Sequence, residues 1–333
     1  MELELRQETV RGWESVCRTG LEQEETAEMI VPDACPDIWQ VLDADSRLLL
    51  QRKEPQEGKA ELAGLLKTTI LYQPEGDGGV CALEVTLPFS AGPELNQLTR
   101  RCVLRVQPRV LSVDVHLLNP RKVLVRVGYQ LEVEGFAPQA LALASLVEEP
   151  DAYAIRQKTD VFESFATVNA QEKNFTYQDA VTLPAGRPDV KELLRTQAQC
   201  TCTEARVIGS KLVFKGEAVL KLLCRGEDNS LFSVDFHLPY SQIMDAGEDS
   251  EEAQCSMDLL FTDVKCTPDP DDRRTFQVEL ALQAQAVLRK QVSVPVLTDL
   301  YSAVYDLQPQ EQPCPSLRLM GRGEEQETAR AQL

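Results

Sequence analysis

The stretch Pro32-Asp33-Ala34-Cys35-Pro36-Asp37-Ile38-Trp39-Gln40-Val41-Leu42 returns 152 positions later as Pro184-Ala185-Gly186-Arg187-Pro188-Asp189-Val190-Lys191-Glu192-Leu193-Leu194. Both copies obey Pro-x-x-x-Pro-Asp-[Ile/Val]-x-x-[Val/Leu]-Leu. Self-similarity at a fixed period marks a repeated structural unit. Further matches lie outward from the motif. Gly64 pairs with Gly216 at the same offset, Leu87-Pro88-Phe89-Ser90 with Leu238-Pro239-Tyr240-Ser241 at 151, and Trp13-Glu14-Ser15 with Phe162-Glu163-Ser164 at 149. Small drifts about one offset are what loop insertions produce. The chain therefore reads as one domain used twice, at about residues 1–145 and 150–305. Residues 306–333, with Pro309, Pro313, Pro315 and Gly321-Arg322-Gly323, read as a polar, disordered tail.

Around the motif the pattern is that of strands. Val123, Val125, Val127, Tyr129, Leu131 and Val133 alternate with polar residues, as do Phe276, Val278, Leu280, Leu282, Ala284, Ala286 and Leu288. Period-two alternation of that length places one face on a core and the other in water. Turn residues separate the strands at Pro74–Gly79, Asn119-Pro120, Gly209-Ser210, Gly226–Asn229 and Pro268–Asp271. The prediction is an all-β chain of two tandem β-sandwich or barrel-like domains with the same topology. Each Pro-Asp motif is expected to make a short helical turn. Asp37 and Asp189 would act as its N-caps, with Ile38, Val41 and Leu42, or Val190, Leu193 and Leu194, on its apolar face. Residues 137–151, an Ala/Leu run between Pro138 and Pro150, read as a helical turn or linker between the copies.

Composition removes several functions. With 34 Lys+Arg against 53 Asp+Glu, the net charge is −19 and the pI near 4.6. A nucleic-acid binder or a polybasic membrane anchor needs clustered cations. The amino terminus has no cationic segment leading into an apolar one, and no apolar run approaches the roughly 18 residues of a spanning helix. A cytoplasmic protein with reduced cysteines is expected, without membrane insertion.

Catalytic candidates can be tested against the repeat. His116 and His237, the only histidines, lie in strand-like contexts and are not reproduced in the other copy. Asp43-Ala44-Asp45 faintly resembles the Asp-x-Asp nucleophile loop of phosphotransferases, but its counterpart is Arg195-Thr196-Gln197, with both carboxylates gone. Asp269, Asp271 and Asp272 lack the spacing of a calcium loop and read as a solvated turn. Glu248–Glu252 reads as a charged loop. Cys200-x-Cys202 places two thiols on one strand face without metal-ligand spacing. No catalytic residue, metal site or cofactor is expected, and no specific binding residue is assigned. The residues singled out are a structural signature: Pro32, Pro36, Asp37, Ile38, Leu42, Gly64 and Pro88, then Pro184, Pro188, Asp189, Val190, Leu194, Gly216 and Pro239.

From Val31 to Leu42 the sequence resembles the opening of the SPOCS domain, a family of endospore-forming bacteria associated with spore-coat assembly. Second-copy elements agree with it, at Phe214-Lys215-Gly216-Glu217-Ala218-Val219-Leu220 and His237-Leu238-Pro239-Tyr240-Ser241. The likeness covers most of residues 7–305. It implies a non-enzymatic assembly or scaffold protein of the spore envelope, in the mother-cell cytoplasm, binding other spore-envelope proteins and able to self-associate. The family's best-understood member is recruited through a C-terminal LysM module. Residues 306–333 are too few for such a module of roughly 45–50 residues, so the β-domains would have to bind partners themselves. The alternative is a ligand-binding β-module, for instance for cell-wall glycan. That reading asks for exposed aromatics gathered on one sheet face, where sugar rings can stack.

Overall fold

The structure, a computed structural model, describes residues 3–76, 78–247 and 250–311. The first half runs β1 (Leu5–Ile30), β2 (Ile38–Gln56), β3 (Lys59–Pro74), β4 (Cys81–Ala91), β5 (Val103–Asn119) and β6 (Lys122–Val147). A 3-10 turn at Pro150–Tyr153 leads to the second. It runs β7 (Ile155–Thr182), β8 (Val190–Ile208), β9 (Lys211–Gly226), β10 (Leu231–Asp245), β11 (Gln254–Pro268) and β12 (Thr275–Ser302).

All pairings are antiparallel. Two three-stranded sheets, β2-β3-β4 and β8-β9-β10, accompany one six-stranded sheet in the order β5-β6-β1-β7-β12-β11. That order reads alike from either end, and its two arms meet at a single bridge, Trp13 with Thr167. Each small sheet covers its own arm. Tyr72, Leu66, Leu87 and Phe89 pack onto Val125, Val127, Tyr129 and Val133 in the first half, and Phe214, Leu220, Leu222 and Tyr240 onto Phe276, Leu280 and Leu282 in the second. Burying each such side chain stabilises by roughly 1.5–3 kcal/mol, so the alternating strands hold the fold through their inward faces. One side of the first half closes where β2 runs beside β5: Ile38 N–H donates to the Pro120 carbonyl at 2.9 Å and Lys53 Nζ to the Leu104 carbonyl at 2.8 Å. In the second half Val190 N–H donates likewise to the Arg273 carbonyl at 3.2 Å, so each half is a partly closed barrel.

The repeat is written in the irregularities as well as in the strands. A β-bulge inserts one extra residue opposite a single partner and twists the strand there. Register shifts single out Trp39, Leu42 and Gln51 in β2 and, 152 positions on, Lys191, Leu194 and Thr203 in β8. Val16 in β1 and Val168 in β7 follow the same rule, as do Leu111 in β5 and Thr262 in β11 at 151. Gly64 and Gly216 occupy equivalent places beside one such bulge. A Cβ on Gly64 would collide with the Leu49 carbonyl and stand 2.8 Å from the Phe89 ring; on Gly216 it would collide with the Thr201 carbonyl and the Tyr240 hydroxyl. The glycine and the aromatic of Leu-Pro-[Phe/Tyr]-Ser are therefore one packing unit. Pro88 and Pro239 lie in β4 and β10, at the margins of the small sheets, where a missing N–H breaks no ladder.

Two sequence expectations are corrected. The Pro-Asp motif forms no helical turn. Cys35 N–H donates to the Pro32 carbonyl at 2.9 Å and Arg187 N–H to the Pro184 carbonyl at 3.4 Å, which are β-turn bonds, and Ile38 and Val190 then open strands. The i, i+3, i+4 apolar spacing that suggested a helix comes from bulges, which shift the inward face by one residue. The run 137–147 is not a linker but the end of β6, paired with β1 from Ala137 opposite Glu14 to Val147 opposite Leu5. Pro138 is tolerated because β5 pairs with β6 only as far as Phe136, leaving that edge open. Of the tail, residues 312–333 lie outside the described residues.

Candidate functional site

The Pro-Asp turns do have a shared purpose, and it belongs to an arginine that sequence reading passed over. Arg121, at the β5–β6 hairpin, sends Nη1 to the Cys35 carbonyl (2.8 Å) and Asp37 (3.0 Å). Its Nη2 reaches the Val31 carbonyl (2.9 Å) and Asp33 (3.0 Å). Arg274, at the β11–β12 hairpin, repeats the arrangement. Nη1 donates to the Arg187 carbonyl (2.6 Å) and Asp189 (3.2 Å), and Nη2 to the carbonyls of Leu183 (3.4 Å) and Pro184 (2.9 Å). Ala185 replaces Asp33, so a carbonyl takes the fourth place. A guanidinium presents a rigid fork of five N–H donors, which suits a ring of fixed carbonyls and one carboxylate. The clamp fastens the incoming loop to the opposite sheet. Asp37 and Asp189 are its carboxylates, neither N-caps nor free acids. The available signal was the 153-residue offset between Arg121 and Arg274, each closing a turn-forming segment.

A second polar cluster joins the halves. The Lys53 side chain is 3% exposed and reaches Glu172 at 2.7 Å, Gln285 Oε1 at 2.6 Å and the Leu104 carbonyl. Gln285, also buried, accepts from Val106 N–H at 2.8 Å and donates to the Val106 carbonyl at 2.8 Å, completing the unpaired edge of β5 like a neighbouring strand. Burial lowers the Lys53 pKa, while Glu172 opposes that shift. Nearby, Arg105 meets Asp258 at 2.5 Å and Lys67 meets Asp263 at 3.3 Å. Each half also sends a leucine into the other's core, Leu49 into the second and Leu260 into the first.

The catalytic candidates are dispersed. Asp43 and Asp45 bind Arg195 (2.7 Å) and Gln197 (2.9 Å) across the seam, their own counterparts in the repeat. His237 Nδ1 sits 3.0 Å from Glu217 on an exposed face, and His116 is exposed on β5 opposite Leu124. Asp269 and Asp272 tie down the β11–β12 turn. Their pKa values are lowered chiefly by hydrogen bonds from Gln277 and Thr275. Among the described residues no three His, Cys, Asp or Glu side chains gather to hold a metal ion. Cys200 and Cys202 do share one face, beside Tyr240, and burial pushes the Cys200 thiol up to about 12. Glu248 and Asp249 lie outside the described residues. A shallow groove between β8 and β11 is lined by Thr203, Arg206, Gln254, Cys255 and Met257. The exposed large aromatics, Trp39, Tyr301 and Tyr305, stand on separate elements and do not share one sheet face. Among the described residues no helix is long and apolar enough to cross a membrane.

Residues 37–118, from the first clamp's aspartate to the end of β5, match the family described as SipL, SPOCS domain. Residues 37–118 carry a SPOCS domain. The matched stretch holds β2 to β5, and so the bulges of β2, the Gly64–Phe89 unit and the strand that Gln285 completes. The SPOCS family links the chain to sporulation. Neither the curated proteins nor the solved structures contain a match to it.

Proposed function

We propose that this SPOCS protein is a non-enzymatic assembly protein of the spore envelope, acting in the mother-cell cytoplasm by binding other envelope proteins through its β-surfaces. The observation that carries the reading is the use made of the polar residues in the SPOCS region and of the arginine that follows it. Asp37, Asp43, Asp45, Lys53 and Arg121 are all engaged in fastening loops or joining the halves. What faces outward is strand surface and strand edge. Beyond the Trp13–Thr167 bridge, β1 and β7 each pair along one side only, and such edges accept strands from partners.

The −19 charge opposes contact between like chains and favours a basic partner. The test is size-exclusion chromatography with light scattering, on the chain alone and with candidate coat proteins, at low and high salt. A complex that forms at low salt and weakens as salt screens exposed charges beyond about 8–10 Å supports the reading. Turnover of a small substrate, abolished by substituting His116 or His237, would sink it.

A further inference from the structure

The two halves share bulges but not what the bulges display. In the first half the extra residues Trp39 and Leu42 stand out to solvent, 60% and 47% exposed. In the second, the same positions hold Lys191, which points to water, and Leu194, which is 3% exposed. Around Trp39 the first half gathers more apolar surface. Ile38 N–H bonds to the Pro120 carbonyl, and Val31 N–H to the Arg121 carbonyl, so the ends of β1, β2 and β5 converge there. Ile38 and Leu117 face the core, which turns their neighbours Trp39 and Leu118 outward, and Ile30 ends β1 at 71% exposure. The second-half counterparts of Ile30 and, at the 151-residue offset of β5 and β11, Leu118 are Thr182 and Asp269.

The rim of this surface is acidic. Asp33 and Asp37 lie in the loop between Ile30 and Trp39, Glu28 lies two residues before Ile30, and Glu75 N–H donates to the Asp37 carbonyl. The cations of the β5–β6 turn are taken: Arg121 lies in its clamp and Lys122 is paired with Glu28. An exposed tryptophan with aliphatic neighbours inside a polar rim is the anatomy of a binding hot spot.

We propose that Trp39, Leu42, Leu118 and Ile30 form a docking surface for a basic amphipathic segment of a partner protein. Its apolar side chains seat against Trp39 and its lysines or arginines face the carboxylates around it. The inference deepens the assembly reading and rests on it.

The test uses the full chain and a fluorescently labelled leucine–lysine peptide with leucines at helical spacing, beside its leucine–glutamate counterpart, read by anisotropy. The leucine–lysine peptide should bind, and Trp39→Lys, which installs the second half's residue, should weaken it by about tenfold or more. Leu118→Lys should do the same, whereas Ile208→Lys, at an exposed apolar site of the second half, should leave it unchanged. Both positions are exposed, so circular dichroism should show the variants folded. Three results would each overturn the proposal: no binding of the leucine–lysine peptide, equal binding of the leucine–glutamate peptide, or equal loss in Ile208→Lys. So would a dimer of the wild-type chain that Trp39→Lys turns into a monomer, because the occupant would then be a second copy. A Trp39→Lys chain that joins coat-protein complexes as tightly as wild type removes this surface and leaves the assembly reading standing. Patch-dependent peptide binding by a chain that joins no coat protein removes the assembly reading instead.

Discussion

Replacing Gly64 by alanine tests the packing unit on which both halves are built. The added Cβ would stand 2.8 Å and 2.9 Å from Cε1 and Cζ of Phe89, and closer still to the Leu49 carbonyl. Ordinary carbon contacts lie near 3.5 Å, so the ring would have to retreat by about 0.7 Å. It cannot do so freely, because Tyr129 packs against it with ring centroids 5.1 Å apart. The carbonyl is backbone and can yield only if β2 draws away from β3 at the Gln51 bulge. Overpacking of this kind costs about 1–3 kcal/mol, and a weakened ladder bond adds about 1 kcal/mol. Alanine's better fit to a strand returns about 0.5–1 kcal/mol. The expected net loss is about 1–3.5 kcal/mol, a large part of the roughly 5–15 kcal/mol that holds a typical domain. Denaturant unfolding of Gly64→Ala and Gly216→Ala measures it. Gly20→Ala is the control, since its nearest atom is 4.0 Å away and alanine there should be neutral or slightly stabilising. A cycle with Phe89→Leu should show coupling above about 0.5 kcal/mol, since the two sites touch. If Gly64→Ala unfolds at the same denaturant concentration as Gly20→Ala, the close approach is not what the glycine serves.

Three further outcomes follow from the same geometry. Arg121→Ala and Arg274→Ala should each cost about 1–2 kcal/mol in denaturant unfolding, since both arginines are partly exposed; Asp33→Ala should cost much less, because Ala185 shows the clamp closing without that carboxylate. Lys53→Ala should cost about 2–4 kcal/mol, Lys53→Met less because its stem keeps the packing, and Lys53→Arg should not restore the wild type in so enclosed a site; equal melts for all three would refute the junction. Burial pushes the Cys200 and Cys224 thiols up to about 12 and Cys266 up to about 11, against about 8.5 in the unfolded chain. Their contribution is therefore whole below pH 8.5 and lost as the pH rises, at about 1.4 kcal/mol per pH unit for each thiol, and Cys224→Ala should flatten the alkaline slope of a pH-dependent urea titration by one such increment.

The legible part of the fold was whatever its local periodicity could carry. The alternation from Val123 to Val133 and from Phe276 to Leu288 specified strands because one face of each is buried and the other wet. The 152-residue offset pointed to the matched glycines and motifs. The bulges were not legible. Trp39 and Leu42 break the alternation of β2, so Ile38, Val41 and Leu42 present the spacing of a helix although the backbone is extended. The end of β6 was hidden for another reason: its Ala/Leu run and Pro138 are ordinary in a two-stranded ribbon with an open edge, but they carry weak strand propensity. The arginine clamps and the Lys53–Gln285 junction depend on contacts between residues 51 to 232 positions apart, with no local signature. Asp37 could be singled out from sequence; its partner could not.

Divergence between the two halves accounts for how one repeated unit can both join its own copy and leave a surface free. Two identical units would present identical faces, and a face good for joining the halves would be equally good for unwanted joining of chains. The repeat avoids this by changing charge at matched positions. Asp43 and Asp45 face Arg195 and Gln197, their own counterparts, so the seam is an attraction between unlike copies where like copies would place carboxylate against carboxylate. The bulges carry the same divergence. Leu194 is closed in beside Arg195, whose side chain is held by Asp43, while Leu42 stays in solvent beside Trp39. Restoring the likeness of the copies at the seam by Arg195→Asp should therefore do more than remove one ion pair. It would set a new carboxylate against that of Asp43 and loosen the contact that distinguishes inner from outer surface. In denaturant unfolding Arg195→Asp should lose more stability than Arg195→Ala, and Asp43→Ala should recover part of the difference; equal losses in the two Arg195 variants would mean that charge at the seam does not choose which faces join.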